Sequence, residues 1–105
     1  MAAQQFITYS PNTDIAAAFD AAIDEAQHEY GHDGYTGTIA EKDSYVIIAA
    51  DPVREPVAEA LIEELFDARD PRIEDKVGPA GAIALADPDD PALIAGWVFF
   101  GWASS

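Results

Sequence analysis

The chain has no cysteine and, in 105 residues, only five basic side chains, two of them the lysines Lys42 and Lys76. Without cysteine there are no disulfides and no thiolate metal sites. So few cations disfavour ordinary nucleic-acid binding, because that affinity comes mainly from Lys and Arg displacing counterions from phosphate. The same shortage disfavours an anionic membrane surface, and Arg54, Arg69 and Arg72 are too few to build a phosphate-binding face. No apolar run approaches the roughly 20 residues that span a bilayer. Met1 to Tyr9 lacks a basic stretch followed by a long apolar one, so it does not read as a secretory signal. Repeats, low-complexity linkers and domain boundaries are missing too. Residues 1–105 therefore read as a single domain, expected in the cytoplasm or in a virion.

What is present in excess is acid. Twenty Asp and Glu give a formal net charge of -15, yet half of the residues are hydrophobic. A chain this apolar can bury a core, so the acids must coat its surface. The combination resembles proteins of salt-loving archaea, in which concentrated salt screens the self-repulsion and the carboxylates keep the surface hydrated. The same surface also fits an acidic decoy that imitates nucleic acid and blocks a DNA-binding protein. That reading predicts competition with DNA for one basic partner that survives high salt, which simple charge attraction does not.

Gln4 to Tyr9 reads as a first strand, with Phe6 and Thr8 on one face and Ile7 and Tyr9 on the other. Ser10 to Asp14 supplies capping side chains for a helix. Ile15, Phe19, Ala22, Ile23, Ala26 and Tyr30 then form one apolar stripe, and Gly31 is its natural stop. Thr36 to Ala40 and Tyr45 to Ala50 read as two strands joined by a hairpin at Glu41 to Ser44, the second nearly all apolar and so expected at the sheet centre. Asp51-Pro52 or Glu55-Pro56 can start a second helix, with Val57, Ala58, Leu61, Ile62, Leu65 and Phe66 on one face and Asp70-Pro71 as its end. Gly81 to Ala86 and part of Ala92 to Trp102 read as the last two strands. The order β-α-β-β-α-β-β predicts an α+β fold, a two-layer sandwich of a mostly antiparallel sheet of four or five strands with both helices on one face. In the last strand Trp97, Phe99 and Gly101 alternate with Val98, Phe100 and Trp102, so both of its faces are apolar. One buried face needs only one set, and the other set is either covered by something else or an interface.

His28-Glu29-Tyr30-Gly31-His32 matches H-E-x-x-H and resembles the helix motif of zinc metallopeptidases. The resemblance implies zinc bound by His28 and His32 and a general base in Glu29. Against it, the apolar stripe turns both histidines toward solvent, Gly31 ends the helix before His32, and no third ligand is marked. A metal site, and with it a zinc cofactor, is not the expectation. Gly34 to Lys42 sets glycines beside hydroxyls, as phosphate loops do, but lacks the G-K-[S/T] ending and the following helix, and reads as a loop. Asp87, Asp89 and Asp90, and likewise Asp67 and Asp70, lack the spacing of a calcium loop and read as solvated turns. The Gly34–Lys42 segment, together with the ending Gly96-Trp97-Val98-Phe99-Phe100-Gly101-Trp102-Ala103-Ser104, resembles small uncharacterised proteins of prokaryotes and their tailed viruses, which implies a viral or accessory context and no particular activity. The expectation is a halophilic, non-enzymatic module that binds a protein partner or itself, with neither nucleic acid nor membrane as partner, through Trp97, Phe99, Phe100 and Trp102.

Overall fold

The structure, a computed structural model, describes residues 3–31 and 36–105. In chain order the elements are β1 (Ala3–Ser10), α1 (Ile15–Tyr30), a short 3-10 turn (Ile39–Glu41), β2 (Tyr45–Val53), α2 (Glu55–Asp67), β3 (Ala80–Ala86) and β4 (Ile94–Ser104). The fold is α+β. Its four strands lie in the order β1-β4-β3-β2. β4 is antiparallel to both β1 and β3, while β2 runs parallel to β3, so the sheet is mixed. The parallel pair follows from the helix between them, because parallel neighbours need a long crossover connection.

The helices begin and end where local chemistry dictates. Asp14 caps α1 by accepting the backbone N–H of Ala17 at 3.0 Å. At the other end Gly31, with φ of 88°, donates its N–H to the Gln27 carbonyl. α2 carries Pro56 in its first turn, where no intrahelical N–H is lost. Its far end is closed by two bonds, Arg69 N–H to the Phe66 carbonyl and Asp70 N–H to the Leu65 carbonyl. That pattern needs a left-handed residue, and Arg69 supplies it at φ 49°.

The two helices cover opposite faces of the sheet, which corrects the expectation of a two-layer sandwich with both helices on one side. On the α1 face, Ala18, Phe19, Ala22 and Ala26 pack with Phe6, Ala80, Ala82, Ala84, Trp97 and Phe99. On the α2 face, Ala58, Ile62, Leu65 and Phe66 pack with Ile83, Val98 and Phe100. Alanines on both α1 and β3 let that helix sit close, and Phe19 lies between the rings of Tyr45 and Phe99, at 5.0 and 5.4 Å between centroids. Across the sheet, Phe66 meets Phe100 and Trp102 edge-on. The doubly apolar β4 thus has both faces covered from within the chain.

Two strand expectations also change. Thr36 to Ala40 is not a strand. The Thr38 hydroxyl accepts the Ala40 N–H, a cap that turns the backbone into a 3-10 turn and drives Ile39 into the α1-face core. The Thr36 N–H and hydroxyl both donate to the Glu41 carboxylate, closing the turn from outside. The order therefore has one strand fewer than predicted. β2, expected at the centre because it is so apolar, is an edge strand. Its apolar side chains are used on both faces, Tyr45 under α1 and Ile48, Ala49 and Val53 under α2.

Candidate interaction surface at the free edge of β1

The residues singled out in the sequence come to different ends. Trp97, Phe99 and Phe100 are core residues, at 5%, 0% and 0% exposure, and Trp102 is half-buried against Phe66. They are held in place: the Trp97 indole N–H donates to the Thr13 carbonyl at 2.9 Å, tying β4 to the loop that starts α1. An interface made from β4 is therefore corrected. The strand is internal to the sheet and presents no open face.

His28 and Glu29 lie on the last turn of α1, both exposed. The helix ends at Tyr30, as the glycine predicted, and His32 lies outside the described residues. Among the described residues, no group of three His, Asp or Glu side chains is gathered as a metal ion requires. Part of the glycine-hydroxyl loop, Gly34 and Tyr35, also lies outside the described residues. Its remaining hydroxyls, on Thr36 and Thr38, bond to each other at 2.7 Å, and the Thr36 hydroxyl also donates to Glu41. A carboxylate there repels phosphate. Lys42, at the end of this loop, is buried, and its ammonium donates to the carbonyls of Asp75, Lys76 and Gly78. Burial lowers its pKa, against the opposing pull of Asp75. One of the two lysines is thus a structural pin and not a surface cation.

The acidic loops are turns. The Asp87 carboxylate accepts the backbone N–H groups of Asp89 and Asp90, and Asp90 accepts that of Ala92. Asp70 grips the Arg72 guanidinium with both oxygens at 2.9 Å, and these hydrogen bonds lower its pKa to about 2.

The feature that composition did not mark is β1. It is eight residues long, is uncharged throughout and, among the described residues, pairs only with β4. In a chain of net charge -15, the first charged residue is Asp14. Because α1 lies beside it, the strand forms one wall of a groove of about 300 Å³. Gln4 to Tyr9 line one side, Ala22, Glu25, Ala26, Glu29 and Tyr30 line the other, and Gly37 and Thr38 close the end. Gly37 stands at φ 71°, and a Cβ there would lie 2.9 Å from the Gln4 amide oxygen. On the opposite face of β1, Ile7 and Tyr9 are 48% and 41% exposed. The Tyr9 hydroxyl makes a long bond to Glu59 at 3.4 Å. Partial burial and the carboxylates of Glu59 and Glu55 raise its pKa. A strand of this kind offers a row of free N–H and C=O groups to another extended backbone. The signal for it in the sequence was an uncharged strand pattern in a chain otherwise dense with acid.

No family model, no curated protein and no solved structure matches this chain. No described helix is long and apolar enough to cross a membrane.

Proposed function

We propose that the chain is a small, non-enzymatic protein-contact module of a halophilic archaeon or one of its viruses, and that it binds extended segments by strand addition at the β1 edge. The carrying observation is the eight-residue, uncharged strand that, among the described residues, is paired on one side only and lies beside a groove. Natural sheets often blunt their edges with charge, proline or bulges, and β1 carries none of these, which supports its pairing with another strand. The setting in concentrated salt is supported by the placement of the acids. No acidic residue is buried among the described residues, so the charge solvates the surface and stabilises no interior site. Salt at that level also strengthens apolar contacts while screening repulsion, which favours binding through an edge with exposed Ile7 and Tyr9.

The test is selection of random ten-residue peptides displayed on phage against the whole chain in molar KCl, with two edge variants as controls. Successive strand residues direct their N–H groups to opposite neighbours. Of Ile7→Pro and Thr8→Pro, one therefore breaks the ladder to β4 and unfolds the strand, while the other leaves the ladder intact and blocks the edge. Peptides that bind the parent chain and lose binding to the folded proline variant support the module. Peptides that bind both equally, or no enrichment at all, overturn it.

A further inference from the structure

We infer, resting on the edge-binding reading above, that the β1 groove selects an extended segment in which basic residues alternate with apolar ones. A strand added to β1 sends successive side chains to opposite faces of the sheet. On the α1 face they meet Glu25 and Glu29, which line the groove. These two glutamates stand four residues apart on one helix, a rise of about 6 Å, and alternate residues of a strand are spaced by about 6.6 Å. Two Lys or Arg side chains at positions i and i+2 therefore meet one carboxylate each. On the α2 face the intervening side chains meet Ile7 and Tyr9, both well exposed. There an apolar partner removes surface from water, while a carboxylate faces Glu59 and Glu55.

A second copy of this chain is the poorer occupant. Its β1 carries no cation to meet Glu25 and Glu29. Two-fold pairing of the edges also brings the α1 walls of both copies, with their glutamates, to the same face of the joined sheet. The partner's chemistry is thus that of a Lys- or Arg-bearing β-segment at the end of, or in a loop of, another protein.

The peptide selection reads this out separately from the edge-binding reading. Selected peptides are expected to carry Lys or Arg at two alternate positions, with Val, Ile or an aromatic residue between them and no proline. The best peptide is then compared with its Lys→Gln counterpart on the parent chain and on the double variant Glu25→Gln/Glu29→Gln, whose substituted side chains are exposed. Removing the peptide's charge is expected to weaken binding to the parent about twofold in molar KCl, where salt screens the two exposed ion pairs, and roughly three- to tenfold as the salt is lowered. The double variant is expected not to distinguish the two peptides. Edge-dependent binders without basic residues, or a Lys preference that persists in the double variant, overturn this inference and leave the edge-binding reading standing. Loss of edge dependence overturns both. A dimer of the free chain in sedimentation, dissociated by the folded proline variant, assigns the edge to a second copy and overturns the basic partner.

Discussion

The two edges of the sheet are built in opposite ways. β2 contains Asp51 and Pro52, and its pairing with β3 shifts register twice, between Ile47 and Ala49 and again between Ala49 and Val53. Charge, proline and irregular pairing are three of the devices by which proteins keep an edge from recruiting another strand. β1 has none of them and keeps an unbroken register with β4 from Ala3 to Ser10. β1 leans on β4 in antiparallel pairing and β2 leans on β3 in parallel pairing. What the comparison teaches is that the two edges differ in regularity and charge, and the proposed strand addition at β1 rests on that contrast.

The comparison breaks most visibly at Gly96. A Cβ at this position would stand 2.5 Å from the Ser10 carbonyl oxygen, where β1 ends against β4. Backbone cannot yield as a side chain tip can, so Gly96→Ala is expected to cost about 1–3 kcal/mol, read by denaturant unfolding in molar KCl. Amide exchange of β1 should quicken well before that of β2, which the substitution does not touch. Uniform exchange across the sheet would mean that the edges are not independent.

A smaller effect is expected on the connection that holds β2 in place. Arg69 carries the left-handed turn after α2, a conformation that costs an ordinary residue roughly 1–2 kcal/mol and glycine almost nothing. Arg69→Gly is expected to stabilise the chain by up to about 1 kcal/mol, because its ion pair with Glu74 is long, at 3.8 Å, and exposed. Next to it, Asp70 has a folded pKa of about 2 against an ordinary 3.8. A carboxyl with a depressed pKa binds fewer protons folded than unfolded. Its contribution is therefore fully present above the ordinary value and is lost as the pH falls from about 4 toward 2. Asp70→Asn should flatten the acid limb of stability in that window and leave neutral pH free of any pH slope from this residue. An unchanged acid limb would mean that the Arg72 pair does not persist in solution.

The smallest effect on stability belongs to exchanging the edges. Ile7→Lys, and separately Asp51→Thr with Pro52→Val, change exposed or half-exposed positions and are expected to stay within about 0.5 kcal/mol of the parent. Their effect lies in association. The first should weaken capture of extended peptides at β1, and the second should make β2 self-associate in light scattering. If neither changes association, the contrast between the edges has no functional content.

The local features were legible because each depends on a short stretch of chain. The Asp14 cap, the Gly31 stop and the apolar stripes of both helices could be read from spacing alone. Thr36 to Ala40 misled because alternating polar and apolar residues fit a strand, while a hydroxyl bonding its own backbone won the competition for the turn. The candidate surface was legible only as an absence of charge before Asp14, and the more conspicuous aromatics of β4 drew the expectation to the sheet centre.

By itself the sequence determined the acidic exterior, the α+β mixture, the two amphipathic helices and a last strand apolar on both sides. Only the tertiary structure decided that α1 and α2 take opposite faces, that β4 lies inside and that β1 and β2 are the edges. The reason is physical. Periodicity records which side of its own element a residue faces, whereas the neighbour of a strand is chosen by contacts far apart in the chain. β1 meets β4 across a sequence separation that runs from Ala3 to Ser104, and no local pattern carries that choice.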